Sequence, residues 1–256
     1  MTQLQALIFD VDGTLADTER DGHRVAFNRA FAEAGLDWEW SVERYGELLR
    51  VTGGKERIRQ YLSEDHPSAL AEPGIDTRIR ELHAAKTRHY VAMLKTGAIP
   101  LRPGVRRLLD AAQAAGLRLA IATTTTPENV TALLEATLGS AGPGRFEVIA
   151  AGDVVPAKKP APDIFTYALE AMNLPASACL ALEDSDNGVR SARAAGLEVV
   201  VTTNDYTRAQ DFTGALAVLD GFGEPDQPAR VLDGPLLEGP VVDVATLRAW
   251  CAGAGA

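Results

Sequence analysis

The sequence predicts an α/β protein: a doubly wound, Rossmann-like parallel sheet as the core, with an inserted α-helical cap. Three observations predict it. The run Leu7-Ile8-Phe9 ends in Asp10-Val11-Asp12-Gly13, the pattern of a buried strand that delivers two carboxylates to its end. From Leu101 onward, short apolar runs alternate with amphipathic helical stretches, as βαβ units in a parallel sheet do. Between the two lies a helix-rich stretch. The domain reading is a core of residues 1–16 and 97–256 and a helical cap of residues 17–96.

In chain order, the first strand comes first. Side chains alternate across a strand, so Asp10 and Asp12 emerge on one side, and ligands of open parallel sheets bind beyond the carboxyl ends of the strands. Two like charges this close need a cation. Val25, Phe27, Ala30, Phe31 and Ala34 then recur at three- and four-residue spacings until Gly35 stops the helix. A second helical run surrounds Tyr45, Leu48 and Leu49. Thr52-Gly53-Gly54-Lys55-Glu56-Arg57 reads as a glycine turn feeding a helix with Ile58, Tyr61 and Leu62, and Thr77 to about Lys95 is helical again after a polar connection. Further strands are expected at Leu117–Ala122, Phe146–Ala151, Cys179–Leu182, Leu197–Val201 and Leu216–Leu219. The Pro/Gly-rich stretch Gly221–Pro240 reads as an edge extension without an assigned role.

Composition removes several function classes. With 35 acidic against 25 basic residues and a net charge of −10, the chain lacks the basic footprint of a nucleic-acid binder. No apolar run approaches the roughly 18 residues of a spanning helix, and the first strand begins too early to leave room for a signal peptide. Cys179 and Cys251 form neither a zinc spacing nor a disulfide framework. These readings place a monomer in the cytoplasm, or in the plastid stroma if plastid-encoded, with a small-molecule partner and no membrane or nucleic acid.

Four stretches carry chemistry. Asp10-Val11-Asp12-Gly13-Thr14 is the first, and a bare Asp-x-Asp-Gly would be an ordinary turn. In the second, Leu117–Ala122 runs into Thr123-Thr124-Thr125-Thr126-Pro127, locally a strand, an N-cap threonine and a helix with Pro in its first turn. The third, Lys158-Lys159-Pro160-Ala161-Pro162-Asp163, sets a cation before a proline-stiffened helix start. The fourth, Cys179-Leu180-Ala181-Leu182-Glu183-Asp184-Ser185, is again a strand ending in acids, which in isolation cap the next helix. In this order the four resemble the motifs of the haloacid-dehalogenase-like phosphotransferases.

The resemblance implies roles residue by residue. Asp10 is the nucleophile that forms an aspartyl-phosphate, and Asp12 is the general acid and then the base. Thr123 holds a phosphoryl oxygen, helped by backbone N–H groups of Thr124 and Thr125 at the helix start, and Lys159 steadies the nucleophile. Asp10, Asp184 and the Asp12 carbonyl are the implied ligands of Mg²⁺, which takes one or two carboxylates plus substrate phosphate and keeps several waters. Glu183 supports metal waters or Lys159. Lys158 reads as a flank and Asp186 as solvent-facing.

The intervening residues narrow the resemblance. Glu19, Tyr45, Thr52-Gly53-Gly54-Lys55-Glu56-Arg57 and His83-Ala84-Ala85-Lys86 are similar to the cap motifs of the CbbY-type phosphatases of xylulose 1,5-bisphosphate, an inhibitor of Rubisco. The implied reaction releases the C1 phosphate and leaves xylulose 5-phosphate. Lys55, Arg57, His83 and Lys86, with Gly53 and Gly54, would clamp the uncleaved phosphate, and Glu19 and Tyr45 would read sugar hydroxyls. Lys55-Glu56-Arg57 also reads as an exposed helix start. His23 receives no role, because Arg20-Asp21-Gly22 makes the interval before it one residue longer than the family's. A β-phosphoglucomutase-like isomerase or a phosphatase of another small ester remains open, although the mutase's Ser-Arg pair after the glycine is absent. A dehalogenase is disfavoured by Asp12, and a non-catalytic binding module by the complete motif set.

Overall fold

The structure, a computed structural model, describes residues 3–254, so the outermost ends of the expected core segments, residues 1, 2, 255 and 256, lie outside it. Strands β1 (Ala6–Phe9), β2 (Arg118–Thr123), β3 (Val148–Ala151), β4 (Cys179–Glu183), β5 (Glu198–Thr202), β6 (Ala217–Leu219) and β7 (Val231–Asp233) form one sheet in the order β3-β2-β1-β4-β5-β6-β7. All pairings are parallel except β6 with β7. The order reverses beside β1, with β2 and β3 to one side and β4 and β5 to the other, which opens a crevice at the carboxyl ends of β1 and β4.

Between β1 and β2 the chain forms a π-helical turn, Glu19–His23, then α1 (Arg24–Glu33), α2 (Val42–Leu48), α3 (Gly54–Asp65), the single turn α4 (Pro67–Leu70), α5 (Ile75–Leu94) and α6 (Val105–Ala114). Later come α7 (Pro127–Leu138), α8 (Asp163–Met172), α9 (Asp186–Ala194) and α10 (Val244–Ala254). A parallel sheet is covered on both faces, and so its strands read as continuous apolar runs. Leu7, Phe9, Leu119, Ile121, Leu180 and Leu182 pack against α6, α7 and α10, while Ile8, Ala120, Ala122, Ala181 and Val199 pack against α8 and α9.

A third apolar cluster belongs to the helices that follow β1: Phe27, Phe31, Trp38, Trp40, Tyr45, Ile58, Tyr61 and Leu82. The lower end of α5 leaves it, since Tyr90 and Leu94 join the sheet-side cluster. Two strand expectations shift. β3 starts at Val148 because the Phe146 N–H is taken by Pro143 O in the preceding turn, and the Phe146 ring packs edge-on against Phe9. The Gly221–Pro240 extension contains β7, an antiparallel edge strand. Among the described residues no helix is long and apolar enough to cross a membrane.

Candidate active site

Register assembles the site. Phe9 lies opposite Ile121 and Leu182, and the Asp10 N–H continues the ladder to Leu182 O at 2.9 Å. Asp10, Thr123 and Glu183 therefore emerge together at the sheet's carboxyl edge, with Asp184 one residue on. Lys159 reaches in from the loop before α8: its Nζ donates to Asp10 Oδ1 at 2.7 Å, Glu183 Oε1 at 2.5 Å and Ala122 O at 2.8 Å. Burial alone would strip its proton, but Asp10 and Glu183 overcome that and raise its pKa. Glu183 Oε2 meanwhile accepts the Asp184 N–H at 3.0 Å.

One ammonium faces three buried carboxylates. Burial pushes Asp10 up to about 8, with Lys159 opposing and Glu183 and Asp12 adding to the rise. Asp184 is raised well above the usual carboxylate range by burial, then by Glu183 and Asp10. Asp10, Glu183 and Asp184 each offer an oxygen, and these lie within 4.8 Å of one another. An oxygen-only, under-neutralised set of this kind fits a hard divalent cation.

Asp12 faces the other way. Its Oδ1 accepts from Thr18 Oγ1 at 2.5 Å and lies 2.8 Å from His23 Nε2. Burial would raise its pKa, but His23, Thr18 and Lys86 hold it well below the usual range, so it is ionised. The sequence reading gave His23 no role; its contact with Asp12 has a local cause. The π-helical turn closes with the His23 N–H on Thr18 O, a five-residue span at 2.7 Å, which absorbs the extra residue and returns the imidazole to Asp12. A Cβ at Gly22 inside that turn would lie 2.6 Å from Ile99 Cδ1, so the Ile99 side chain would have to shift.

The residues expected in the cap divide into two groups. Arg57, buried, donates to Tyr45 Oη at 3.0 Å, and Tyr45 Oη donates to Glu19. Glu19 and Arg57 line a cavity of about 90 Å³ together with Asp10, Asp12, Thr123, Thr124, Lys159 and Asp184. The others stand outside that lining. Lys86 is buried over the Phe27 and Tyr90 rings, 5.1 and 5.2 Å from their centres, and burial pushes it down to about 8. His83 is driven down to about 3 by burial, then by Lys86 and Lys55, so it brings a neutral ring rather than a charge. That ring lies 2.6 Å from where a Cβ on Gly54 would stand, while Gly53 takes φ +98° before α3. Lys55 pairs with Asp153 at 2.6 Å, across from Lys158 on the same carboxylate. Thr125 Oγ1 accepts from Asn129 Nδ2 at 3.1 Å.

Several residues escaped the sequence reading besides His23 and Thr18. Asp186 lines the cavity instead of facing only solvent, and Asn204, Tyr206 and Gln210 join it from the loop after β5. Arg102 donates to Gly13 O, tying the first motif to Thr203 O at 2.6 Å. A larger groove of about 920 Å³ between α5 and α7, lined by Val91, Leu94, Pro127 and Ala132, contains none of Asp10, Asp12, Thr123, Lys159 and Asp184.

Comparison with known proteins agrees with this geometry. Residues 4–196 match the family described as haloacid dehalogenase-like hydrolase. The chain is 49% identical to the plasmid protein CbbY of Cupriavidus necator over 247 residues, 96% of each chain. It is 55% identical to the protein CbbY of Rhodobacter capsulatus over 213 residues, covering 83% of this chain and 91% of the relative. Its fold superposes with a TM-score of 0.81 on the crystal structure of a CbbY mutant from Rhodobacter sphaeroides in complex with xylulose-(1,5)bisphosphate, at 47% identity, over 87% of this chain and 96% of that one.

Proposed function

The chain belongs to the haloacid dehalogenase-like hydrolase family and is a phosphatase; on that premise we propose that it hydrolyses the C1 phosphate of xylulose 1,5-bisphosphate through an aspartyl-phosphate on Asp10. The observation that carries the proposal is one cavity bounded by Asp10, Asp12 and Lys159 on the sheet side and by Glu19 and Arg57 on the helical side. We take residues 17–96 as the cap that selects substrate, over a core of residues 1–16 and 97–256. The relatives named CbbY, and the bisphosphate bound to one of them, support this choice of substrate.

Asp10 attacks phosphorus in line, held by Lys159, which also draws charge from the phosphoryl oxygens alongside Thr123. Asp12 then takes the proton of the water that releases phosphate. Its ionised state, fixed by Thr18 and His23, suits that second half. In the first half a proton held between Asp12 and His23, 2.8 Å apart, passes through Asp12 to the departing sugar oxygen, and the proton taken from water in the second half restores it to that pair. The ion we assign is Mg²⁺, which when bound neutralises phosphoryl charge. Asp10, Asp184 and the Asp12 carbonyl would hold it, with Glu183 behind them.

On the cap side, Arg57, Lys86 and Lys55 are the cations for the uncleaved phosphate. His83, Gly53 and Gly54 contribute N–H groups and close approach, and Tyr45 and Glu19 meet hydroxyls. The reading implies a monomer working in the cytoplasm to clear an inhibitor of Rubisco.

The experiment is a substrate comparison by kcat/KM: xylulose 1,5-bisphosphate, ribulose 1,5-bisphosphate, xylulose 5-phosphate and glucose 1-phosphate, scored for free phosphate and for isomerised sugar. Xylulose bisphosphate should lead. If glucose 1-phosphate matches it, the substrate assignment fails; isomerised product without phosphate would make the protein a mutase.

A further inference from the structure

A three-residue turn after β5 touches both the carboxylate cluster and the cap. Asn204 Nδ2 donates to Asp184 Oδ2 at 2.6 Å. Its amide oxygen accepts the Tyr206 N–H at 2.9 Å, and its own N–H donates to Thr207 Oγ1 at 3.0 Å. This Asx turn fixes the side chain with its NH₂ on Asp184. Gly13, at φ +89°, makes room: a Cβ there would strike Asp184 Oδ2 and lie 2.6 Å from Asn204 Nδ2. On the other side, the Tyr206 ring lies 3.0 Å from where a Cβ on Gly46 would stand and is edge-on to Tyr45, and its hydroxyl donates to Val42 O at 3.3 Å. Two glycines, one at the first motif and one in α2, thus leave space for the same turn.

Building on the metal assignment above, we propose that the turn Asn204–Tyr206 links the seating of the cap to the aim of Asp184. With α2 seated on Tyr206, Asn204 holds Oδ2 of Asp184 and leaves Oδ1 for the cation. Asn204 is a positioning residue, acting through Asp184, and by linkage anything that unseats α2 from Tyr206 weakens the cation site.

Two variants separate this from simple turn building. Asn204→Ser keeps a turn-forming oxygen but is too short to reach Asp184 as the amide does. Gly46→Leu touches neither Asn204 nor Asp184, suits a helix better than glycine, and wedges α2 away from Tyr206. Mg²⁺ alone is titrated calorimetrically into metal-free, full-length enzyme, with circular dichroism and melting in chelator as fold controls. Asn204→Ser should weaken the Mg²⁺ Kd about tenfold, as loss of an outer partner does at metal sites, and Gly46→Leu about fivefold, the low end of intersite coupling. Tyr206→Ala provides a second route to the latter result. Wild-type affinity in Asn204→Ser overturns the positioning role, and wild-type affinity in both Gly46→Leu and Tyr206→Ala overturns the link. A wild-type enzyme that takes up no Mg²⁺ overturns this proposal and the metal assignment together, whereas a different preferred sugar affects only the substrate assignment.

Discussion

Lys159→Met tests the electrostatics of the site without touching a reacting atom. The substitution keeps an unbranched stem, one atom shorter, and removes the single ammonium that bonds Asp10, Glu183 and Ala122 O. Breaking a buried ion pair by removing one partner costs about 3–5 kcal/mol. For a chain of this size each kcal/mol moves Tm by about 2–4 °C, so the metal-free variant should melt about 6–20 °C below wild type at pH 8. The sign with pH follows from the carboxylates. Asp10, already pushed up to about 8, loses the opposing Lys159 charge and rises further, so the folded variant binds more protons than the unfolded chain and loses stability as pH rises. Lys159 itself, with its pKa raised, remains charged throughout pH 5–8. Scanning calorimetry in chelator at pH 5 and pH 8 should show a deficit that is smaller at pH 5. A variant that melts within about 2 °C of wild type at pH 8, well under the shift expected from a broken buried pair, would refute the claim that Lys159 balances the cluster.

Further outcomes follow from the same geometry. His23→Phe keeps the ring beside Tyr90 but removes the partner of Asp12, so kcat should fall about a hundredfold, the low end of the about 10²–10⁴ that acid–base help contributes; unchanged pH–rate profiles in steady-state phosphate release would remove His23 from the reaction. Lys86, pushed down to about 8, is charged below that pH and neutral above it. KM for the bisphosphate should therefore climb as pH passes 8, and Lys86→Met should flatten the climb; an equal slope in the variant counts against the clamp. Arg57→Ala should lower kcat/KM for the bisphosphate about tenfold more than for a monophosphate, a loss of the size expected for a charged hydrogen bond, and equal losses on the two substrates would take Arg57 off the distal phosphate.

Much of the fold and of the candidate site was legible because apolar strands ending in charge are rare without a purpose. Asp10, Asp12, Glu183 and Asp184 terminate runs that had to be buried, and parallel register then brought them to one edge with Thr123. Lys159 was named from a motif, and its Nζ donates to Asp10 Oδ1. What sequence spacing could not carry was set by tertiary geometry. A π-helical turn erased the one-residue offset that had disqualified His23. Asn204 meets Asp184 from a loop twenty positions on, with no periodicity to mark it. His83 brings a neutral ring because burial beside Lys86 and Lys55 holds its pKa down, which spacing alone does not show. β7, only three residues long and at an edge, has too little pattern to detect.

The most direct measurement of the central claim is to trap the covalent intermediate. Wild-type enzyme mixed with xylulose 1,5-bisphosphate and Mg²⁺ is acid-quenched within one turnover, digested, and read by mass spectrometry for a phosphoryl group on the peptide that ends at Arg20, with hydroxylamine sensitivity as the signature of an acyl phosphate. A hydroxylamine-labile phosphoryl group on Asp10, absent in Asp10→Asn, is the expected result. Rapid phosphate release with no such adduct at any quench time, or an adduct on another residue, would contradict it.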